Sequence, residues 1–197
     1  MIDKILKPYK IVLASASPRR REILNMLNVD CVVKISDVAE PMSNEDPILQ
    51  TMRHARNKLL AVTSKCDEID LVIAADTIVV LDDTILGKPQ SKLEAASHLR
   101  KLSGNSHQVI TALCIGKENH HRTVYEISKV RFASLSDAEI KDYLDTNEPM
   151  DKAGAYGIQG YGSQFITSIE GCYFNVMGFP VRKFYETLIE MIAEGTI

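Results

Sequence analysis

The feature that most constrains this fold is the apolar run at residues 71–81, the longest stretch of β-type residues in the chain. It predicts a buried strand, which Asp76 and Thr77 interrupt. A carboxylate inside a buried strand is costly unless it is paired or bound to a metal, so Asp76 is a candidate functional residue. Two alternatives remain open: side-chain alternation points Asp76 to a solvated face, or Thr77 satisfies it locally.

Strands and helices alternate along the first half of the chain, and a hairpin follows later. Short apolar runs at residues 11–14 and 31–35 predict the first two strands. Longer runs at 107–116 and 122–132, joined by a polar connection, predict the hairpin, and 164–169 predicts a further strand. Because alternation favours parallel pairing and the hairpin is antiparallel, the sequence predicts an α/β fold with a mixed sheet.

Several helix starts are marked by residues that cap a helix or fit its first turn. Ser17-Pro18 and Asp46-Pro47 each place a capping side chain before a proline at the first helical position. Ser91-Lys92-Leu93-Glu94 and Ser136-Asp137-Ala138-Glu139 match the capping box. Pro180 precedes an apolar-periodic segment and predicts a C-terminal helix.

The first predicted helix carries Arg19, Arg20 and Arg21 in its first turn, directly after Ser15-Ala16-Ser17-Pro18. Unpaired backbone N–H groups already make a helix N-terminus positive, so cations are unfavourable there. A bound polyanion would account for them, because phosphate oxygens accept from backbone N–H groups and from guanidinium groups. The alternative is an ordinary helix start whose arginines extend into water.

Composition is typical of a soluble globular protein. The chain has 197 residues, 45% hydrophobic and 25% charged, which suits one domain or one domain with two lobes. Its net charge of −3 argues against long nucleic acids, and no stretch reaches the roughly 20 apolar residues of a membrane span. The four cysteines are widely spaced and no signal peptide is evident. We therefore expect a cytoplasmic protein with reduced thiols and with no nucleic-acid or membrane partner.

Two glycine-containing segments have chemistry suited to a phosphate or a base. Lys88 lies between Gly87 and Pro89, where a lysine can meet a phosphate as a point charge, although a plain surface turn is the commoner meaning. Residues 151–162 contain four glycines, which suits either a loop that closes over a ligand or a set of tight turns. Gln159 in this segment offers a donor and an acceptor, enough to read the edge of a base.

Together these segments resemble the Maf family, nucleoside triphosphate pyrophosphatases once described as septum-formation inhibitors. The resemblance extends over nearly the whole chain, and it is specific because the landmarks follow the family's order and spacing. The landmarks are Leu13-Ala14-Ser15-Ala16-Ser17-Pro18-Arg19-Arg20, Glu40, Lys58, Ala75-Asp76-Thr77, Gly87-Lys88-Pro89, Gly154-Ala155-Tyr156-Gly157-Ile158-Gln159-Gly160 and Gly178-Phe179-Pro180.

The resemblance implies a fold, an activity and a cofactor. The fold is a long twisted mixed sheet flanked by helices, with two lobes and a central cleft like that of the inosine triphosphate pyrophosphatases, and residues 1–197 form a single catalytic domain. The activity is hydrolysis of a nucleoside triphosphate to the monophosphate and pyrophosphate with a divalent cation, Mg²⁺ or Mn²⁺, in a homodimer. Removal of modified nucleotides and control of division are both compatible with that activity.

The resemblance also implies roles for individual residues. The acid that matches Asp76 is the proposed proton acceptor, and Glu40 and Asp76 are expected to hold the metal. Arg19, Thr77 and Gln159 occupy three positions associated with base choice, in a combination similar to the branch that acts on dTTP and UTP. The residues expected to hold phosphate oxygens are Ser15, Arg20, Lys58 and Lys88. The two lysines are also expected to take part in catalysis.

Two other functions fit the same residues. An enzyme of the sister branch would act on 7-methyl-GTP, but that branch carries a bulky aromatic residue, glutamine and glutamate at positions 19, 77 and 159. A nucleotide-binding regulator of cell division would also use a buried acid, two lysines and a cation-rich helix start, without hydrolysis. Asp76 disfavours the regulator, because a carboxylate weakens anion binding unless it works through a metal or a proton.

Overall fold

The chain folds into two compact units in a computed structural model that describes residues 1–41, 43, 45–64, 66, 70–117 and 119–197. The division agrees with the prediction of two lobes, and it separates Asp76 from Thr77, which belong to different units. The first unit is Met1–Asp76, Thr111–Glu126 and Gly178–Ile197, and the second is Thr77–Ile110 and Ile127–Met177.

Helices and strands alternate as the sequence predicted, and three short 3-10 turns follow the fifth helix. In chain order the elements are α1 (Ile2–Leu6), β1 (Lys10–Ala14), α2 (Pro18–Met26), β2 (Cys31–Val33), α3 (Pro47–Thr63), β3 (Asp70–Leu81), β4 (Thr84–Leu86), α4 (Lys92–Leu102), β5 (Ser106–Gly116), β6 (His121–Phe132), α5 (Asp137–Asp145), the turns Glu148–Asp151, Ala153–Ala155 and Gly160–Phe165, β7 (Ile166–Glu170), α6 (Tyr173–Val176) and α7 (Val181–Ala193).

The described strands form one mixed sheet. Its order is β2-β1-β3-β5-β6-β7, and β4 pairs with β3 outside that path, giving seven strands within the described residues. β1 pairs in parallel with β2 and β3, whereas the β3–β4 and β6–β7 pairs are antiparallel. The prediction of an α/β fold with a mixed twisted sheet flanked by helices is confirmed.

The register of β1 against β3 positions the site. Ala14, the last residue of β1, lies opposite Ala74 of β3. Ser15 and Ala75 are therefore the next residues along the two strand directions, at the same edge of the parallel pair. In open α/β sheets binding groups commonly lie where the pairing of parallel strands ends; here Ser15 follows β1, and Ala75 and Asp76 lie within β3 just past its pairing with β1.

The core of the first unit packs α3 against the parallel strands. Ala55 and Leu59 on one face of α3 contact Val12 of β1 and Val72 of β3, and all four side chains are fully or almost fully buried. Burial of apolar surface of this kind is the main stabilising contribution to a domain. Because this face of α3 is fixed to the sheet, the polar residues elsewhere on the same helix have fixed positions too.

The second unit has a core of its own, rich in aromatic rings. Phe132 of β6 packs edge-to-face on Tyr156, with ring centroids 4.8 Å apart, and Tyr143 packs edge-to-face on Phe165 at 5.0 Å. Such pairs add roughly 0.5–1.5 kcal/mol to the burial of their area. Tyr156 belongs to the glycine-rich segment, so this segment is attached to the core through its tyrosine.

The helix-start predictions are confirmed except at Ser17 and for half of the capping box at Ser91, where the Ser91 side chain accepts from the Glu94 N–H but the Glu94 carboxylate accepts from the Gln90 N–H. Pro18 and Pro47 occupy first-turn positions, and the capping box at the start of α5 is complete. Within the described residues, however, the Ser17 side chain makes no cap hydrogen bond. The backbone N–H of Ser17 itself donates to Ser15 Oγ at 3.3 Å.

Three strand predictions need correction. Asp76 and Thr77 do not interrupt the long apolar run, since β3 continues unbroken from Asp70 to Leu81. The strand predicted at 31–35 ends at Val33, although the Lys34 N–H still donates to the Leu13 carbonyl oxygen. The strand predicted at 164–169 is displaced to Ile166–Glu170 because the preceding residues close a 3-10 turn.

Two further observations concern membrane-spanning helices and the cysteines. In the part of the chain that the structure describes, no helix combines the length and the apolarity that a membrane crossing needs. The four cysteines, all among the described residues, are free thiols, as the sequence predicted. Burial raises the pKa of Cys114 from 9.0 to about 11, so this thiol is protonated and unreactive at neutral pH.

Candidate active site

The turn from β1 into α2 is organised around the hydroxyl of Ser15. Its Oγ accepts from Arg20 Nη1 at 2.7 Å in addition to the Ser17 backbone N–H. Pro18 stands at the start of α2, where it has no hydrogen bond to lose and its fixed φ suits the helix. Ser15 is buried, so this hydroxyl is committed to the turn and ties it to the arginine.

Arg20 joins three separate segments of the first unit. Its Nη1 also donates to the Ala75 carbonyl oxygen at 2.9 Å, and its Nε donates to the Gly178 carbonyl oxygen at 2.9 Å. Burial lowers the pKa of Arg20 from 12.5 to about 10, while the negative charge of Asp76 opposes this shift. The guanidinium therefore stays charged at neutral pH. The alternative of an arginine extending into water is wrong for Arg20.

α3 brings two basic side chains to Asp76. His54 and Lys58 are four residues apart, so they lie on the same face of the helix. Lys58 Nζ donates to Asp76 Oδ1 at 2.8 Å, and His54 Nδ1 lies 3.4 Å from Asp76 Oδ2. All three residues are at least nine-tenths buried. Each oxygen of the Asp76 carboxylate therefore has its own basic neighbour.

The electrostatics of Asp76 follow from these neighbours. Burial by itself would raise the pKa of this carboxyl group, because it removes the charged form from water. The hydrogen bond with His54, the charge and hydrogen bond of Lys58 and the charge of Arg20 together outweigh burial and hold the pKa well below its ordinary value. Asp76 is therefore ionised at neutral pH, and neither the solvated-face alternative nor satisfaction by Thr77 is needed to explain it.

Glu40 completes the charged cluster from the segment between β2 and α3. Its Oε1 lies 2.8 Å from Lys58 Nζ, so the ammonium group bridges the carboxylates of Glu40 and Asp76. The two acids differ in exposure: the Glu40 side chain is 45% exposed and the Asp76 side chain is 7% exposed. Glu40 is thus the carboxylate of this cluster that solvent reaches most easily.

The same residues provide ligand atoms for a divalent cation. Glu40, His54 and Asp76 each offer one, and these atoms lie within 4.8 Å of one another. Carboxylate oxygens suit Mg²⁺ and Mn²⁺, and an imidazole adds a nitrogen donor of the kind that transition metals accept. The donor set fits such an ion. Lys58 already contacts both carboxylates, so a bound cation must share them with the lysine.

In the second unit, two predicted site segments are joined by a backbone hydrogen bond. Lys88 is exposed on the turn between β4 and α4, and the carbonyl oxygen of Gly87 beside it accepts from the Gly154 N–H at 3.1 Å. Gly154 has a φ of +69°, a conformation that favours glycine. This bond fixes the Lys88 turn to the glycine-rich segment, on which Gln159 is exposed.

Glu148 fastens the glycine-rich segment beyond Gln159. Its Oε2 accepts from the Tyr161 backbone N–H at 2.9 Å, and its Oε1 accepts from the Gly162 N–H at 3.1 Å and from the Tyr143 hydroxyl at 3.0 Å. Charge-assisted hydrogen bonds of this kind are stronger than neutral ones. The segment is therefore a closed set of turns held by one carboxylate.

Comparison with known proteins assigns the chain to a family. A family described as "Maf-like protein" matches residues 10–191. The chain belongs to the Maf family.

Two relatives share one name, and a solved structure shares the fold. The dTTP/UTP pyrophosphatase of Clostridioides difficile (strain 630) is 46% identical over 181 residues, covering 90% of this chain and 93% of the relative. The dTTP/UTP pyrophosphatase of Aquifex aeolicus (strain VF5) is 41% identical over 182 residues, covering 92% and 95%. The solved structure of the Staphylococcus aureus Ham1 protein is similar with a TM-score of 0.54 and 15% identity, covering 95% of this chain and 100% of that one. At that identity the likeness supports the fold alone.

The Maf landmarks divide between the two units. In the first unit the structure brings Ser15, Arg20, Glu40, Lys58 and Asp76 into one cluster of hydrogen bonds and ion pairs. Arg19 is half-buried at the start of α2 in the same unit. The remaining predicted site residues, all in the second unit, are Thr77, Lys88 and Gln159.

Sequence reasoning missed His54. The signal that would have found it is its spacing, since it stands four residues before Lys58 in a predicted helix and therefore shares the lysine's face. None of the five histidines has the spacing of a recognised metal motif, so a search for metal-ligand patterns does not find His54. The partner that gives His54 its place, Asp76, is remote in sequence and adjacent only in the fold.

Proposed function

We propose that this protein hydrolyses dTTP and UTP to the nucleoside monophosphate and pyrophosphate. The observation that carries the proposal is the buried Asp76 carboxylate held by Lys58 and His54, with Arg20 bonded to the neighbouring carbonyl. A buried acid among cations is suited to proton transfer beside a polyanion. Support also comes from the two relatives named dTTP/UTP pyrophosphatase, which are 46% and 41% identical to this chain.

Asp76 is the proposed proton acceptor for the attacking water. Despite burial, its neighbours His54, Lys58 and Arg20 hold the pKa of Asp76 low, which makes it a weak base. A triphosphate attracts the same cations, and each cation that it engages stabilises the Asp76 carboxylate less. Substrate binding should therefore raise the pKa of Asp76 towards the range in which it accepts a proton efficiently.

Phosphate and base recognition are divided among the remaining landmarks. Ser15 and Arg20 sit at the start of α2, where backbone N–H groups and the guanidinium both favour an anion. In this proposal these two residues, with Lys58 and Lys88, hold phosphate oxygens. The residues proposed to select a pyrimidine base are Arg19, Thr77 and Gln159.

A divalent cation is part of the proposal. Glu40 and Asp76 would hold Mg²⁺ or Mn²⁺. When bound, such an ion neutralises charge on phosphate oxygens and makes water more acidic. The chain's own contribution is to keep Asp76 ionised and fixed, and to keep Lys58 between the two carboxylates.

The test is a substrate panel with one variant. Purified protein is assayed for pyrophosphate release from dTTP, UTP, CTP, dGTP and 7-methyl-GTP with Mg²⁺ or Mn²⁺. We expect turnover of dTTP and UTP well above the others, and Asp76→Asn should bind nucleotide while losing a factor on the order of 10²–10⁴ in kcat, the usual contribution of a positioned base.

Each alternative has its own outcome in this panel. Preference for 7-methyl-GTP would place the protein in the sister branch. Nucleotide binding without pyrophosphate release would make it a regulator. Equal rates on all five nucleotides would remove base selection by Arg19, Thr77 and Gln159, and Asp76→Asn at the parental rate would remove the proton acceptor.

We further propose that residues 1–197 act as a single catalytic domain in a cytoplasmic homodimer, with a role in nucleotide removal or in septum formation. These proposals rest on family membership. Light scattering coupled to size exclusion measures the oligomeric state, and cell length after deletion of the gene measures an effect on division.

A further inference from the structure

His54 has the geometry of a residue that fixes the orientation of Asp76. It stands one helical turn before Lys58 on α3, and it is 4% exposed. Its Nδ1 lies 3.4 Å from Asp76 Oδ2, whereas Lys58 Nζ lies 2.8 Å from Oδ1. The two basic groups therefore reach opposite oxygens of a single carboxylate.

A contact on the second oxygen matters because one contact does not fix a carboxylate. The torsion that turns a carboxylate about its terminal bond has a broad minimum, so a group held at Oδ1 alone can rotate. A proton acceptor works only when its lone pair has the right direction, and a misplacement of about 1 Å can cost on the order of 10²-fold in rate. Lys58 by itself leaves that rotation open, and His54 closes it.

The position of a ring hydrogen of His54 follows from its partner. An ionised carboxylate can only accept, so Nδ1 must carry the hydrogen of the contact, whether the ring is neutral or charged. Nε2 is buried and has no hydrogen-bond partner among the residues that the structure describes. A buried nitrogen without a partner costs stability, roughly 1–3 kcal/mol. Among the described residues His98 and His107 also have a buried ring nitrogen without a hydrogen-bond partner, so what distinguishes His54 is its contact with the Asp76 carboxylate.

We propose that His54 is a positioning residue, whose Nδ1–H holds the Asp76 carboxylate in the orientation needed to accept a proton. This inference rests on the proposed function, since it concerns how the same acid works. His54 touches Asp76 and acts through it.

The test separates the two ring nitrogens with two substitutions. In His54→Asn the side-chain amide N–H occupies the region of Nδ1, so the donor to Asp76 is kept. In His54→Gln the amide reaches the region of Nε2, and the donor to Asp76 is lost. His54→Leu removes both. We expect His54→Asn to keep most of the kcat for dTTP, while His54→Gln and His54→Leu lose about 10- to 100-fold, the usual loss when the partner of an active-site ligand is removed.

A split between rate and binding supports the inference. KM should change little in all three variants, and calorimetric binding of a non-hydrolysable α,β-methylene dTTP analogue should match wild type. His98→Leu is the matched control for removing a buried histidine, because His98 is also buried and also faces an acid, Glu94, at 3.8 Å on α4. It should leave kcat unchanged, and melting curves confirm that every variant is folded.

Three results would overturn the inference. The first is equal loss in His54→Asn and His54→Gln. The second is activity kept by His54→Gln and lost by His54→Asn, which would make Nε2 the atom that matters, as in a metal ligand. Mn²⁺ titration followed by electron paramagnetic resonance would then show weaker Mn²⁺ binding in His54→Asn. The third is a kcat loss in His98→Leu as large as in His54→Leu.

One measurement does not depend on turnover, so failure of the inference can be told from failure of the proposed function. If wild type releases no pyrophosphate from any nucleotide of the panel, the proposed function fails. The contact is still tested by the melting temperatures of His54→Leu, Asp76→Asn and the double variant. Shifts that do not add support the coupling of His54 to Asp76, and additive shifts overturn it.

Discussion

Removal of the Lys58 ammonium group should destabilise the protein chiefly through Asp76. Lys58→Met keeps an unbranched side chain of similar length and leaves a buried carboxylate without its closest cation. The Lys58 and Asp76 side chains are 11% and 7% exposed, so little solvent screening applies. Breaking a buried pair from one side costs about 3–5 kcal/mol. Glu40, the other partner, is 45% exposed, and its contact contributes only about 0–1 kcal/mol.

The pH dependence of that loss identifies its cause. The pKa of Asp76 is lowered in the folded state, so its pairing adds stability above the unfolded pKa of about 3.9 and loses it as the pH falls further. Lys58→Met removes a cation that lowers the pKa of Asp76, so burial then raises this pKa. The difference in free energy of unfolding between wild type and Lys58→Met should therefore be largest near neutral pH and should shrink below about pH 4.

Urea denaturation of wild type, Lys58→Met, Glu40→Gln and Lys58→Met/Asp76→Asn at several pH values measures these terms. A loss of about 3–5 kcal/mol corresponds to a Tm decrease on the order of 10 °C for a chain of this size. The double variant should recover most of it, because the uncompensated charge is gone. A loss no larger than that of Glu40→Gln, or one that is constant from pH 3 to pH 7, would refute the reasoning.

Two further predictions concern the second unit. Burial lowers the pKa of His107 from 6.5 to about 4, so the folded state resists protonation of this ring. The free energy of unfolding should therefore fall by roughly 3 kcal/mol as the pH decreases from 6.5 to 4. In thermal melts, His107→Gln should show a smaller decrease in Tm over the same pH range. Glu148→Ala removes the acceptor of the Tyr161 and Gly162 backbone N–H groups, so hydrogen exchange at these two amides should accelerate, while Glu148→Gln, which keeps one acceptor oxygen, should show a smaller effect. Unchanged exchange in Glu148→Ala would mean that the segment is held by its turns alone.

The parts of the fold that sequence predicts are those encoded by neighbouring residues. Pro18 and Pro47 mark two helix starts because their effect on the backbone is local. The capping box at Ser136 marks another helix start, because its two hydrogen bonds join residues only three positions apart. Local chemistry of this kind does not depend on where the rest of the chain lies.

The parts that sequence could not predict depend on residues far apart in the chain. Asp76 and Thr77 were predicted to interrupt the apolar run, but Lys58 and His54 supply basic partners for the carboxylate from another helix and the strand continues. His54 belongs to no local motif, and it gains its acidic partner only because α3 carries it to Asp76. In both cases the deciding contact is set by tertiary packing.

The carbonyl of Gly178 accepts from Arg20 across 158 residues of sequence. During synthesis on the ribosome, Ser15 and Ala75 leave the exit tunnel long before Gly178 does. The Arg20 guanidinium can therefore bond to the Ser15 hydroxyl and the Ala75 carbonyl oxygen before the Gly178 carbonyl oxygen is available. A chain that stopped ahead of that glycine would lose the acceptor of Arg20 Nε and keep the two acceptors of Nη1, so the guanidinium would be held from one nitrogen and not from two.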